Sequence, residues 1–212
     1  MNFALLTQAL VFLALIFAVF AFGRKIRVFS RLSRPVDRAK PKGSLQKGLI
    51  YAYTLGMAPW SKESTRIHAI AYMRGVAFHM GIFLGLALLV VSPWLGGAPQ
   101  NIRNLFGWMI AAGALFGLVG FVARFVDHNL KALSNSDDYF AALIVTLFLG
   151  AEAFWLFYPP AQALFYLISA VMLVYTPLGK IRHCIYFAYS RLFYGKFFGS
   201  RAVLPHVQQS LR

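Results

Sequence analysis

The sequence is poor in cysteine and in charged residues, and both shortages exclude whole classes of protein. Only one of its 212 residues is a cysteine, Cys184, which excludes an internal disulfide bond and a CxxC metal site. Thiolate-ligated iron–sulfur clusters need about four cysteines, so any such cluster that serves this protein must lie in another subunit. Charged residues make up 13% of the chain, about half the usual share in a soluble domain. The chain therefore has too little polar surface to be stable in water.

Basic residues are also missing from particular segments, and their distribution predicts how the chain crosses a membrane. There are none in the first 22 residues and none in the connection at 158–162. Eleven of the 21 Lys and Arg residues lie between Arg24 and Arg66, and six lie from Lys180 to the end. Basic residues thus fall on alternate connections, which is the positive-inside pattern of membrane proteins. Because topology explains the net charge of +15, we expect no nucleic-acid partner.

Five apolar stretches are long enough to cross a bilayer. A transmembrane helix needs about 20 apolar residues for a hydrocarbon core of roughly 30 Å. Helices are expected rather than strands, since lipid offers no partner for backbone polar groups. The predicted spans lie at about 3–22, 72–95, 105–125, 139–157 and 161–186. We therefore predict an all-α integral membrane protein with five transmembrane helices, its N-terminus outside and its C-terminus in the cytoplasm.

The remaining segments complete a single membrane domain that covers residues 1–212. A basic cytoplasmic loop is expected at 23–67, with a short amphipathic helix around 45–56 on the membrane surface. The segment Ser134-Asn135-Ser136-Asp137 predicts the N-cap of the fourth span. The cytoplasmic tail at 187–212 interleaves aromatic and basic residues, which is typical of an interfacial anchor and is also compatible with docking of a partner subunit.

Two histidines fall within the predicted spans, where an ionisable side chain costs at least about 2–3 kcal/mol and usually has a function. His79 lies about seven residues into the second span, and His183 lies near the inner end of the fifth. Because these spans run in opposite directions, both histidines are expected at similar depth, as the two ligands of one haem iron would be. Gly75, Gly81 and Gly85 let either a flat macrocycle or another helix approach the second span. The residues alone leave a second interpretation open, in which the two histidines are unrelated.

Four further residues are candidates for roles near such a cofactor. Arg74, Lys180 and Arg182 are expected near the depth of the histidines, where a cation can pair with a haem propionate. For Lys180 and Arg182 the alternative is anchoring at the cytoplasmic surface, and for Arg74 it is snorkelling to the headgroups. Glu152, thirteen residues into the fourth span, is a candidate quinone or proton site, or else hydrogen-bonds to a neighbouring helix.

The other histidines allow a second haem as an alternative. His68 lies eleven residues before His79, a spacing that returns to almost the same face of a helix. A shallower haem could therefore use His68 and His128, although both also fit as histidines at the membrane interface. His206 lies in the tail, where we expect it to be solvated.

Three motifs resemble those of a known membrane cytochrome b family. They are Phe78-His79-Met80-Gly81 in the second span, Ser134-Asn135-Ser136-Asp137-Asp138-Tyr139 at the start of the fourth, and Pro177-Leu178-Gly179-Lys180-Ile181-Arg182-His183 at the end of the fifth. The last string is similar to the family pattern Pro-x-Ser-Lys/Arg-x-x-His, whose histidine binds haem. Most of the chain thus resembles the gamma subunit of respiratory nitrate reductase. It also resembles the membrane cytochrome b subunits of heterodisulfide reductase and of sulfite-reduction-associated complexes.

The resemblance implies one haem b on the cytoplasmic side, with His79 and His183 as the axial ligands of its iron. The family typically holds a second haem, through histidines ten residues after the first ligand and eighteen before the last. Those positions are Leu89 and Phe165 here, and neither side chain can ligate iron. We therefore expect no outer haem, and apolar side chains in its space. Because the quinol site of nitrate reductase lies beside that haem, this chain must place quinone differently.

These observations predict a haem b-containing membrane subunit of a respiratory redox complex. It would transfer electrons between membrane quinone or quinol and an iron–sulfur subunit docked on its cytoplasmic face. The resemblance implies the cytoplasmic (inner) membrane of a bacterium or archaeon. No P-loop or nucleophile elbow occurs, so we expect no chemistry beyond electron transfer in this chain. The main alternative is a haem-free membrane anchor that recruits a soluble redox complex. A small transporter or channel is a weaker one, since only Glu152 is polar near the midplane.

Overall fold

The computed structural model describes residues 3–32, 39–61 and 63–204, and every regular element within these ranges is a helix. The α-helices are α1 (Phe3–Arg31), α2 (Leu45–Tyr53), α3 (Glu63–Ile67), α4 (Ala69–Leu95), α5 (Gln100–Val126), α6 (His128–Leu133), α7 (Ser136–Phe157), α8 (Gln162–Tyr175) and α9 (His183–Ser200). Short 3-10 turns lie at Leu55–Met57, Pro159–Ala161 and Lys180–Arg182. The prediction of an all-α protein is confirmed.

Four of these helices, α1, α4, α5 and α7, are long and apolar enough to cross a membrane. They contain the first four predicted spans, and each is longer than predicted at one or both ends. In α1, for example, the helix continues through the basic residues that follow Gly23 and ends at Arg31. Long apolar helices of this kind indicate a multi-pass membrane protein.

The predicted fifth span at 161–186 is not one continuous helix, and this part of the prediction needs correction. The α8 helix ends at Tyr175, and α9 begins only at His183. Pro177 has no N–H to donate to the helix, which ends the α8 hydrogen-bond ladder. The amides of Leu178 and Gly179 both donate instead to Tyr175 O, at 2.9 and 2.8 Å. By length and composition, α8 and α9 qualify as a span only when taken as a broken pair.

The N-cap predicted before the fourth span is confirmed. Asn135 Oδ1 accepts from the Asp138 amide at 3.2 Å, and Asp138 Oδ2 accepts from the Asn135 amide at 2.9 Å. This reciprocal capping box satisfies two amides that the first turn of α7 leaves unpaired. Asp138 Oδ2 also accepts from Lys180 Nζ at 2.6 Å, and the Tyr175 hydroxyl donates to Asp137. These bonds connect the start of α7 to the end of α8.

The chain divides into two compact units. Unit 1 comprises Met1–Gly23 and Met73–Ile181, and unit 2 comprises Arg24–Tyr72 and Arg182–Arg212. Unit 2 carries 16 of the 21 Lys and Arg residues but only two of the six Asp and Glu residues. Nearly all of the net charge of +15 therefore lies in unit 2, whereas unit 1 is close to neutral.

Unit 1 is a bundle with α7 at its centre. Half of the most apolar stretch of α7 is buried, against 22–28% for the other three long helices. The Trp155 ring of α7 stacks on Phe165 of α8 with 5.0 Å between the ring centroids and 6° between their planes. On the other side of the core, Gly81 of α4 meets Gly113 of α5 so closely that a Cβ on either would lie within 3 Å of the other's Cα. Aromatic stacking and glycine contacts thus fix how α4, α5, α7 and α8 pack.

Unit 2 is built on the contact between α2 and α9. The short helix predicted at 45–56 is present, and it packs on α9 through glycines. A Cβ added to Gly48 would lie 2.0 Å from Gly195 O, and one added to Gly199 would lie 2.7 Å from Gly48 Cα. The amides of Lys42 and Gly43, which precede α2, donate to Ser200 O at 2.8 and 2.9 Å.

Replacing Gly48 with alanine should disrupt this contact. The new Cβ would collide with a backbone oxygen that cannot move independently of α9, and overpacking of this kind typically costs about 1–3 kcal/mol. We expect faster hydrogen–deuterium exchange at the amides of Lys42 and Gly43, measured by mass spectrometry. The matched control is Gln46→Ala on the exposed side of α2, which should leave the exchange rates unchanged. Equal rates in Gly48→Ala and wild type would contradict the packing described here.

Candidate functional site

His79 lies on the exposed surface of α4, and its ring is oriented by its own helix. Its Nδ1–H donates to Gly75 O, one turn earlier, at 2.7 Å. Since a carbonyl can only accept, this bond selects the tautomer whose lone pair is on Nε2. Histidines that ligate metals usually make a bond of this kind with the nitrogen that does not face the metal. The His79 imidazole is thus in the form that can ligate iron through Nε2.

The three glycines of α4 have different neighbours. A Cβ on Gly75 would meet no heavy atom of the described chain within 4 Å. Gly81 and Gly85 instead face other helices, where a Cβ would lie 2.8 Å from Gly113 Cα and 2.5 Å from Glu152 Oε2. The sequence allowed either a macrocycle or another helix to approach these glycines, and at Gly81 and Gly85 it is another helix that does so. Open space lies only beside Gly75, on the same side of α4 as His79.

His183 begins α9 instead of ending the fifth span, and its side chain is exposed. It belongs to unit 2, whereas His79 belongs to unit 1. Arg182 precedes it at the N-cap position of α9 and is also exposed. The 3-10 turn at Lys180–Arg182 replaces the helical backbone that the prediction assigned to this motif.

The other two predicted cations make contacts within unit 1. Lys180 Nζ lies 2.6 Å from Asp138 Oδ2 and so forms an ion pair with the capping box of α7. Arg74 is half-buried on α4 and approaches α5, where its Nε lies 3.7 Å from the position that a Cβ on Gly120 would occupy. The ion pair gives Lys180 a structural role that does not involve a cofactor.

The histidines proposed for a second haem lie in different units. His68 lies in unit 2, in the turn between α3 and α4, and His128 lies in unit 1, as the first residue of α6. Both are exposed, and His206 lies outside the described residues. Among the residues that are described, no three side chains of His, Cys, Asp or Glu are arranged to hold a metal ion.

The positions that would carry a second haem in the resembled family are packed with apolar side chains. Leu89 is 6% exposed and Phe165 is fully buried. Phe165 stacks on Trp155 and lies 6.1 Å from Phe148, centroid to centroid. These aromatic rings fill the core between α7 and α8.

Glu152 is fully buried on α7, and one carboxyl oxygen faces Gly85 of α4. The hydrogen bond to a neighbouring helix that the sequence allowed as an alternative is not observed. In the described part of the chain, neither oxygen of Glu152 has a hydrogen-bond partner. A buried polar group without a partner costs free energy, so a structural explanation of this residue is weak.

Arg103 is a buried cation that sequence reasoning missed. It is only 4% exposed, its Nη2 donates to Trp155 O at 2.9 Å, and its Cζ lies 5.5 Å from the centroid of the Trp155 ring. The predicted third span began at 105, which placed Arg103 in a connection. The signal available in the sequence was Pro99, because proline is common at the start of a helix.

Comparisons with known proteins give no identification. No family model, no characterised protein and no solved structure matches the chain. Its function therefore has to be proposed from its own residues and motifs.

Proposed function

We propose that this chain is the haem b-containing membrane subunit of a respiratory redox complex. In this proposal it transfers electrons between membrane quinone or quinol and an iron–sulfur subunit docked on its cytoplasmic face. The N-terminus lies outside, the C-terminus lies in the cytoplasm, and α8 with α9 completes the fifth crossing. The membrane is the cytoplasmic (inner) membrane of a bacterium or archaeon.

The observation that carries the proposal is the environment of His79. An imidazole on an apolar helix has its Nδ1–H bonded to Gly75 O, so that Nε2 carries the lone pair. The same side of α4 has open space at Gly75, where a flat macrocycle can approach the backbone. Orientation by a backbone carbonyl also makes the histidine a stronger ligand. These features fit one axial position of a haem.

The second residue that would hold the haem is His183, as the resemblance of the motif that runs from Pro177 to His183 implies. When bound, the haem supplies reversible one-electron transfer, and the chain supplies ligands, burial and charge. His79 and His183 would hold the iron. Arg74, Lys180 and Arg182 are the candidates for the haem propionates, and Lys180 also pairs with Asp138.

The distribution of charge supports a cytoplasmic docking surface on unit 2. Positive-inside topology places basic segments on the cytoplasmic side, and unit 2 holds 16 of the 21 basic residues. A surface whose charge is mostly of one sign speeds association with a partner whose surface has the opposite charge. An iron–sulfur subunit with an acidic face is therefore the partner that this charge favours.

The deciding experiment is a reduced-minus-oxidised optical spectrum of the purified protein, with haem quantified as the pyridine haemochrome. We expect one haem b per chain. No Soret absorption would instead support the haem-free anchor that recruits a soluble redox complex. Two haems per chain would assign His68 and His128 as further ligands and would contradict the single-haem proposal.

A further inference from the structure

Two buried ionisable side chains of unit 1, one acidic and one basic, have atoms without a hydrogen-bond partner among the described residues. Within the described ranges, the buried side-chain atoms without a partner are Arg103 Nε and both carboxyl oxygens of Glu152. Since about 90% or more of buried polar groups are normally paired, each of these atoms needs an explanation. The missing bonds are complementary, because Arg103 Nε–H lacks an acceptor and Glu152 lacks donors.

Arg103 already contacts the helix that carries Glu152. Its Nη2–H donates to Trp155 O, and Trp155 follows Glu152 by three residues, which is about 4.5 Å along the helix axis. The Arg103 guanidinium therefore lies beside the turn of α7 that follows Glu152.

Few charged or titratable groups lie on the described helices around Glu152. On α4, the residues from Gly81 to Leu95 include no charged side chain, and the first 22 residues of the chain include none either. The charged or titratable groups from the neighbouring helices in this half of the bundle are Arg103 on α5 and Tyr166 on α8. An isolated carboxylate in apolar surroundings is far more costly than a neutral carboxyl, so an unpaired Glu152 keeps its proton.

We propose that Glu152 and Arg103 form a buried proton-exchange site. The Glu152 carboxyl holds a proton at rest. When its O–H bond breaks, the proton passes to water, and the carboxylate that remains is stabilised by the guanidinium of Arg103. Proton uptake reverses both changes. This site does not depend on the proposed haem, and the proton is its only ligand.

Polar groups continue from this site toward the end of the bundle at which α5 and α8 begin. Gln100, one turn before Arg103, is exposed and donates to Leu156 O at 3.2 Å. On α8, the half-buried Gln162 donates to the Tyr166 hydroxyl at 3.2 Å. Water that enters beside these groups would reach Arg103 first, which gives the proton of Glu152 a route to the aqueous phase.

Infrared spectroscopy of the full chain in detergent tests the proposal, because a protonated carboxyl has a carbonyl band separate from those of carboxylates and amides. In wild type we expect such a band, a shift of that band in D2O, and its loss as the pH is raised. Glu152→Gln should lack the band, which assigns it. Arg103→Gln should keep the band to higher pH, since the carboxylate loses its cation, whereas Arg103→Lys should remain closer to wild type.

Three results would overturn the proposal. The first is a wild-type band that does not shift in D2O, because the proton would then not exchange. The second is the same pH dependence in Arg103→Gln as in wild type, which would remove Arg103 from the site. The third is the absence of a band that depends on Glu152. If Arg103→Gln does not fold, the D2O shift of the wild-type band and the loss of that band in Glu152→Gln still test whether Glu152 exchanges a proton. None of these readouts requires haem, so they separate this proposal from the proposed function.

Discussion

Replacing His79 with alanine should reduce bound haem b from one per chain to almost none. Loss of an outer-shell partner alone typically lowers metal affinity by about 10–100-fold, and loss of an axial ligand should cost more. The alanine removes the Nε2 lone pair but does not disturb a core contact, because the His79 side chain is exposed on α4. The measurement is the pyridine haemochrome of the purified variant, normalised to protein.

The matched controls are His68→Ala and His128→Ala. These histidines are also exposed, and neither is an axial ligand in the single-haem proposal, so both variants should keep full haem content. His183→Ala should match His79→Ala. If His79→Ala retained a full complement of haem with an unchanged spectrum, His79 would not be a ligand and the proposed function would lose its main support.

The features that could be predicted from sequence are those that depend on short stretches of chain. The four long helices follow from apolar composition, and the Asn135 cap follows from residue types three positions apart. The break after Tyr175 was also visible in principle, since Pro177 and Gly179 are typical helix terminators. The apolar residues on both sides of these positions nevertheless favour one continuous span, which is why the sequence prediction has no break there.

Features that depend on contacts between helices could not be predicted. Glu152 was recognised as an unusual charge within a span, but its lack of a partner is a property of the packed bundle. The same holds for Gly75 and Gly81, which are equivalent in the sequence and differ only in what lies beside them. Arg103 could not be predicted to be buried, because its burial depends on where α5 begins and also on how α5 packs against Trp155.

The two units differ in charge and in packing, and the proposed function gives them different roles. Unit 1 is nearly neutral and holds the aromatic core together with His79, Glu152 and Arg103. Unit 2 holds most of the positive charge, and its glycine contacts bring α2 and α9 together. In the proposed function, unit 2 provides the partner surface and unit 1 provides the apolar surroundings for proton and electron transfer. Because α4 and α5 meet at two glycines, the stability of unit 1 should depend on that helix–helix contact.

Replacing Gly81 with alanine should destabilise unit 1 by about 1–3 kcal/mol, the usual cost of overpacking. The new Cβ would lie 2.8 Å from Gly113 Cα, which is backbone and cannot rotate away, and 3.5 Å from Leu149 Cδ1. The α4 and α5 helices would have to separate and lose contacts along their length. The free energy of unfolding can be measured by SDS titration with tryptophan fluorescence, to which the buried Trp155 contributes.

Gly150→Ala is the matched control, because it makes the same chemical change at another glycine of the same bundle. A Cβ on Gly150 would meet nothing within 4 Å among the described residues. There the substitution should be neutral or should stabilise the helix by up to about 1 kcal/mol, because alanine is a better helix former than glycine. The two variants are therefore expected to differ in sign. Equal effects would mean that helix propensity alone determines the outcome and that α4 and α5 do not meet at Gly81 and Gly113.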